Sequence, residues 1–221
     1  MSSNDLNPTA EAMVSKFNSR IVTILVGPEE FPFCIHETLL LDERAGALLN
    51  GAFEDGARAA GTGRMELPED EPAEFECFVR WLYCMPTVPY VIDIGYFDLG
   101  PSQLLKLYTF AYRNLIHQLQ DEIMVEMCNK QPLMTWHCGR FDREVLEHFV
   151  AEVSDGSAMH EFLAQWFLHD GCRHIATTCS RKGTKMNESE DVPPVVLRLV
   201  MKHILECNLS NPLAEDEKLH F

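Results

Sequence analysis

The first 130 residues of the chain combine two kinds of apolar spacing. Residues 21–26 are apolar apart from Thr23 and rich in β-branched side chains, which predicts a strand. Because both faces of this strand are apolar, we expect a layer of structure on each side. A Gly-Pro-Glu-Glu turn at 27–30 leads to apolar residues that alternate over 31–35, so a β-hairpin is the economical interpretation. The alternating run 64–67 predicts a third short strand.

Helical spacing dominates the remainder of this half. The acidic cap and first-turn proline of Asp70-Glu71-Pro72 are typical of a helix start. Spacings of three and four residues then predict one buried stripe, formed by Phe75, Phe78, Val79, Leu82 and Tyr83. Two further helices are predicted, one from Ser102 and one over 115–127, with a break near 113–114. The second would bury four residues spaced four apart: Leu115, Leu119, Ile123 and Met127.

Pro132 marks the predicted end of the first domain. Beyond it the apolar spacing predicts three more helices, over 141–153, 159–169 and 195–207. The predicted organisation is therefore a mobile N-terminal arm at 1–17, a first domain at 18–131 and a helical C-terminal extension at 132–221. The extension contains a polar loop near 180–191 and ends in an acidic tail.

The charge of the chain restricts its partners. Its 221 residues carry 34 Asp and Glu against 18 Lys and Arg, a formal net charge of −16. We therefore exclude nucleic acid, whose phosphates require a basic face, and an anionic membrane surface, and expect basic protein surfaces to be attracted. The sequence has no secretory-signal pattern and no apolar run of about 20 residues, and we interpret its eight cysteines as reduced thiols. These features predict an intracellular protein of the cytoplasm, the nucleus or both.

The sequence offers little that an enzyme needs. It lacks the Gly-x-Ser-x-Gly elbow, the Gly-x-x-x-x-Gly-Lys phosphate loop and a dinucleotide-binding glycine motif after a strand, so we expect no catalysis and no cofactor. His36 is interpreted as a hydrogen-bonded structural histidine. The best metal candidates are His169, Cys172, His174 and Cys179, with His137 and Cys138. Their spacing is too crowded for a typical zinc site, and chance clustering is the preferred interpretation, with a zinc-dependent C-terminal half as a third hypothesis.

Five short motifs occur in a fixed order between residues 18 and 130. They are Val26-Gly27, Phe33-x-Ile35-His36, Leu67-Pro68-Glu69-Asp70, Phe75 with Trp81-Leu82-Tyr83, and Leu107-Tyr108-x-Phe110-Ala111-Tyr112. In this order the chain resembles a BTB/POZ domain, and its particular residues are similar to those of the BTB proteins of filamentous fungi. The resemblance implies an α+β fold, a small β-sheet flanked by helical hairpins, followed here by an all-α C-terminal extension.

The resemblance also implies a role: a non-enzymatic protein–protein interaction module that self-associates as a homodimer or homo-oligomer and serves as a substrate adaptor on the cullin scaffold of a ubiquitin ligase. The cullin-contacting place of the family is occupied here by Phe53, Glu54 and Asp55, with Asp55 standing where the family has glutamate. Self-association is assigned to Arg20 and Ile21, where many members carry aspartate in place of the arginine. These two departures keep open an alternative, a BTB scaffold or transcriptional co-regulator that does not bind cullin.

Overall fold

The computed structural model describes residues 17–45, 51, 61, 63–84, 98–130, 141–168 and 194–210. The chain divides into two compact units, Met1–Cys128 and Asn129–Phe221. The fold is α+β and mostly helical, as the sequence predicts. Within the described ranges, none of the helices is long and apolar enough to cross a bilayer.

A three-stranded sheet forms the base of the first unit. Its strands are β1 (Ile21–Val26), β2 (Phe31–His36) and β3 (Arg64–Leu67), in the spatial order β2-β1-β3. The first two strands form an antiparallel hairpin, and β3 runs parallel to β1. All three predicted strands are confirmed, because their β-branched and alternating apolar residues suit a pleated surface.

The two faces of the sheet differ in burial. One face is packed against the core and carries three fully buried residues of the central strand, Val22, Ile24 and Val26. On the opposite face, Ile21 is 61% exposed and only Leu25 is buried, while the neighbouring strands add four exposed residues: Pro32, Cys34, Arg64 and Glu66. In the part of the chain that the structure describes, this face is therefore largely uncovered, which differs from the layer expected on both sides. Double coverage is typical of all-parallel sheets, whereas a hairpin can leave one face in solvent.

Helices complete the first unit. They are α1 (Glu37–Leu40), followed by a 3-10 turn (Glu43–Ala45), then α2 (Pro72–Cys84), α3 (Pro101–Arg113) and α4 (His117–Lys130). Aromatic rings of the sheet, α2 and α3 meet in the core. The ring centroid of Phe75 lies 5.0 Å from that of Phe33, and the centroids of Phe78 and Phe110 lie 5.4 Å apart. These edge and tilted contacts stabilise the packing of α2 between sheet and helix.

The buried stripe of α2 differs in part from the prediction. Phe75, Phe78 and Leu82 are buried as predicted, but Trp81 is fully buried as well, and Val79 and Tyr83 are only half-buried. A tryptophan can be buried because its polar edge finds a partner. Its Nε1–H donates to the Glu122 carboxylate of α4 over 2.8 Å.

The turn between α3 and α4 corrects a second prediction. Leu115, predicted as the first buried residue of the helix, has a positive φ of 56° and is 46% exposed. Ile116 is buried in its place, and its N–H donates to the Ala111 carbonyl over 2.8 Å. A residue in the left-handed conformation closes α3 and rotates the following chain. The other three predicted core positions of this helix are buried: Leu119, Ile123 and Met127.

The described part of the second unit is helical. It contains α5 (Arg143–Glu152), α6 (residues 158–168) and α7 (Pro194–Ser210). The three predicted helices are confirmed, with ends that differ by up to three residues. One cluster of aromatic rings joins the start of α5 to α6, since the centroid of Phe141 lies 5.3 Å from that of Trp166 and 5.9 Å from that of Phe167.

The predicted domain limits stay predictions. The two compact units meet between Cys128 and Asn129, and the predicted limit lies after residue 131. The loop near 180–191, the acidic tail and most of the 1–17 arm lie outside the described residues.

Candidate interaction surface

The start of β1 carries both residues assigned to self-association. The Arg20 guanidinium binds Glu37 through two hydrogen bonds, from Nε to Oε2 over 2.9 Å and from a terminal nitrogen to Oε1 over 3.2 Å. The backbone repeats this link, because the Glu37 N–H donates to the Arg20 carbonyl over 3.0 Å. A two-pronged guanidinium–carboxylate pair fixes geometry better than a single contact. Arg20 is thus held by the chain itself, and Ile21 beside it stays exposed.

The open side of the sheet, here called the outer sheet face, consists of eight residues: Ile21, Thr23, Leu25, Pro32, Cys34, His36, Arg64 and Glu66. It is apolar at the Ile21 end and ionic at the β3 edge. There, Arg64 lies 3.3 Å from the Glu30 carboxylate and 3.8 Å from that of Glu66. Both pairs are exposed, so each contributes little to stability. An exposed apolar side chain next to charged groups is a combination that protein interfaces also contain.

His36 ends β2 and is held by the fold. Its Nδ1 lies 2.8 Å from the Tyr83 hydroxyl, which also accepts the His36 N–H over 3.2 Å. The Phe17 ring stacks on Tyr83 with centroids 5.9 Å apart and meets the imidazole edge-on at 5.7 Å. The predicted hydrogen bonding of this histidine is therefore confirmed, and Tyr83 is the partner that the sequence did not identify.

The Tyr83 hydroxyl also protects the edge of β2 that faces away from β1. On β1, the N–H groups of Thr23 and Gly27 donate toward β3, so the alternate residues of β1 bond to β2. Consequently Pro32, Cys34 and His36 are the β2 positions whose backbone groups face away from β1. Pro32 has no N–H and the His36 N–H is taken by Tyr83. Only Cys34 keeps an outward N–H without a partner among the described residues, which makes this edge a poor template for strand addition.

Asp70 has a role that the sequence did not reveal. The helix α2 begins at Pro72 as predicted, but the buried Asp70 carboxylate accepts a hydrogen bond from the Arg113 guanidinium at the end of α3. Burial raises the pKa of Asp70, and the positive charge of Arg113 offsets part of this effect. The acidic residue therefore joins two helices instead of serving as the predicted cap.

Two other carboxyl groups of the first unit have raised pKa values because they are buried. Glu122 accepts the hydrogen bond from Trp81, and Glu74 lies 3.7 Å from the Lys106 ammonium. Burial raises the pKa of both carboxyls. Each group links a different helix pair: Glu122 joins α4 to α2, and Glu74 joins α2 to α3.

A Ser-His-Asp grouping in the second unit invites comparison with a catalytic triad. The Ser157 Oγ lies 3.0 Å from His160 Nδ1, and His160 Nε2 lies 3.9 Å from the Asp155 carboxylate. However, Ser157 Oγ also accepts the His160 N–H over 3.3 Å, which is the contact of a helix N-cap. A cap explains the serine and histidine, and 3.9 Å is too long for the hydrogen bond that orients a triad histidine. The serine three residues before the histidine was the sequence signal for this cap.

The residues assigned to cullin contact, Phe53, Glu54 and Asp55, lie outside the described residues, as do the six metal candidates. Within the described ranges, no group of three or more His, Cys, Asp or Glu is placed to hold a metal ion. No family model matches the sequence, and no curated protein matches it. What can be said of function therefore depends on the residues and their geometry.

Proposed function

We propose that this chain is a non-enzymatic protein–protein interaction module of the BTB/POZ type, that it self-associates, and that it bridges a cullin scaffold to a client protein. The order of elements supports the fold assignment: a hairpin, a third strand parallel to the first, a helix with a buried tryptophan and two more helices. The packing and backbone conformation of the motif residues also explain why particular amino acids occur at those positions.

Gly27 illustrates such a reason. Its φ is +77°, a conformation that favours glycine, and an added Cβ would lie 3.3 Å from the Pro72 ring and 3.4 Å from the Asp70 carbonyl oxygen. The end of β1 and the start of α2 thus approach each other closely at the Val26-Gly27 motif. Two motifs that are distant in sequence are linked at one place.

The observation that carries the proposed self-association is the exposure of Ile21 on the outer sheet face. A large apolar side chain is 61% exposed beside an arginine that is already paired with Glu37. Burying such a side chain against a second copy stabilises the complex by about 1–2 kcal/mol. Because each copy carries a formal net charge of −16, long-range repulsion opposes association, and salt should strengthen it.

Light scattering at tens of micromolar tests self-association. We expect a mass of at least twice 25.2 kDa, an increase in association with salt, and a shift to the monomer in Ile21→Glu. Val125→Glu is the matched control, because Val125 of α4 is 60% exposed and lies outside the outer sheet face. A monomeric wild-type protein would refute self-association, and equal effects of both variants would refute the assignment to this face.

Calorimetric titration with a cullin N-terminal segment tests the adaptor role, with Phe53→Ala beside the wild type. Sub-micromolar binding that is lost in the variant would support the ligase adaptor. No binding at tens of micromolar by the folded protein would favour the scaffold or transcriptional co-regulator instead. The aspartate at position 55 motivates that alternative, since its carboxylate reaches one methylene less far than that of glutamate.

A further inference from the structure

His160 is a buried histidine, and one of its two ring nitrogens has a hydrogen-bond partner within the described ranges. It lies in the first turn of α6 and is 4% exposed, with its ring centroid 4.5 Å from that of Phe149 on α5. Its Nδ1 is bonded to Ser157, but Nε2 has no hydrogen-bond partner within the described ranges. The Asp155 carboxylate lies 3.9 Å from Nε2. A buried polar nitrogen without a partner is unusual and asks for a physical explanation.

Asp155 is also the anchor of α7. Its second carboxylate oxygen forms an ion pair with the Lys202 ammonium, so the turn before α6 is tied to α7 through one carboxylate. The Asp155 carboxylate therefore lies between the positively charged Lys202 ammonium and the His160 imidazole, which becomes a cation on protonation. The helix it holds carries three exposed apolar side chains at spacings of four residues: Leu197, Met201 and Leu205.

Within the described ranges, the charged groups that act on His160 come from two elements. Burial lowers the pKa of His160, Asp155 of the turn before α6 raises it in part, and Lys202 of α7 lowers it further, so the net result is a lowered pKa. From α5 the neighbour is the uncharged ring of Phe149, and from its own helix start it is the Ser157 hydroxyl. The imidazole is therefore neutral when Asp155 and Lys202 are paired near neutral pH.

We propose that Asp155, His160 and Lys202 form an acid-sensitive latch, in which protonation of His160 takes Asp155 away from Lys202 and loosens α7. The added proton turns Nε2 into an N–H donor that faces the Asp155 carboxylate. It also places a positive charge near the Lys202 ammonium. Protonation of His160 therefore gives Asp155 a second cationic partner and repels Lys202 at the same time. Both effects act on the ion pair between Asp155 and Lys202.

The direction of the pH effect follows from linkage. Because the unfolded chain protonates this histidine at a higher pH than the folded chain does, stability is lost as pH falls below about 6.5, the ordinary value, toward the lowered folded value. Above that range the latch is closed and its contribution is constant. Acid should therefore act on the second unit before it acts on carboxyl groups with ordinary pKa values.

Hydrogen exchange of the α7 amides in the full chain, corrected for intrinsic rates, tests the latch between about pH 7.5 and about pH 5. We expect protection of α7 to fall by about tenfold for each unit by which the folded pKa is lowered. In His160→Gln this fall should disappear. His148→Gln is the matched control, because His148 is an exposed histidine of α5 and its removal should leave the fall unchanged.

An NMR titration of His160 tests the latch separately from the stability of the variants. Lys202→Gln should raise the pKa of His160 and reduce α7 protection at neutral pH, whereas Asp155→Asn should lower the pKa of His160. Protection that is independent of pH in the wild type would overturn the proposal, and so would an unchanged fall in His160→Gln.

Discussion

The two compact units differ in the sequence separation of the side-chain pairs that the structure describes. In the first unit three part-buried pairs join residues that are distant in sequence: His36 and Tyr83 are 47 residues apart, Asp70 and Arg113 are 43 apart, and Trp81 and Glu122 are 41 apart. In the described part of the second unit the hydrogen-bonded side chains are close neighbours, with His160 three positions after Ser157 and Gln165 four positions after Glu161. The Asp155–Lys202 pair differs from these, because it joins two elements of that unit.

This difference separates contacts that form within one helix from contacts that form between distant elements. A cap or an i,i+4 pair forms within one helix, and its loss changes that helix alone. A contact between distant elements forms only after those elements have packed, so its loss changes their arrangement. We therefore expect substitutions at the long-range pairs of the first unit to cost more than comparable ones at local pairs of the second.

The largest effect is expected for Arg113→Ala. It leaves the Asp70 carboxylate buried without its cation, which should lower the free energy of unfolding by about 2–4 kcal/mol near neutral pH. Removing the cation raises the pKa of Asp70 further, so the loss should be greatest at high pH and shrink as pH falls toward the ordinary value near 4 and the carboxyl takes up a proton. Urea denaturation at two pH values measures both effects.

The control for this substitution is Arg143→Ala in the second unit. Arg143 and Glu147 form an exposed pair four residues apart, and its loss should cost less than about 0.5 kcal/mol. Similar losses for Arg113→Ala and Arg143→Ala would mean that the contrast between the two units has no energetic basis.

A smaller effect is expected for Tyr83→Phe, which removes both hydrogen bonds to His36 while keeping the ring on Phe17. The free energy of unfolding should fall by about 1–2 kcal/mol. The substitution also frees the His36 N–H at the edge of β2, so time-dependent light scattering should increase, and it should increase further with Pro32→Val added. Tyr112→Phe is the control. If Tyr83→Phe matched this control in free energy of unfolding and in light scattering, Tyr83 would not protect the edge of β2.

The smallest effect is expected for Ser157→Ala at the start of α6. Loss of the cap should cost about 1 kcal/mol, and Ser157→Thr should recover most of it because threonine also caps helices. Thermal denaturation followed by circular dichroism measures the difference between the two variants. If the alanine and threonine variants were equally destabilised, packing of the serine and not its hydrogen bond would be responsible.

The strands and helices were largely predictable because their signals are local. β1 over residues 21–26, β3 over residues 64–67 and the start of α2 at Pro72 follow from alternation, β-branching and proline placement. The candidate surface was predictable only in part. The contact role of Ile21 stays a prediction. The pairing of Arg20 with Glu37 was not predictable, since it requires the start of β1 and the end of β2 to meet.

The sequence by itself determined where this chain forms strands and helices, because backbone geometry imposes periods that apolar residues must follow. Tertiary structure alone decided which apolar residues are exposed: it left Ile21 and Leu115 in solvent and buried Trp81 and Ile116. It also decided the partners of Asp70, His36 and Asp155. The physical reason is that burial and ion pairing depend on which elements meet in space, and a one-dimensional pattern does not contain that information.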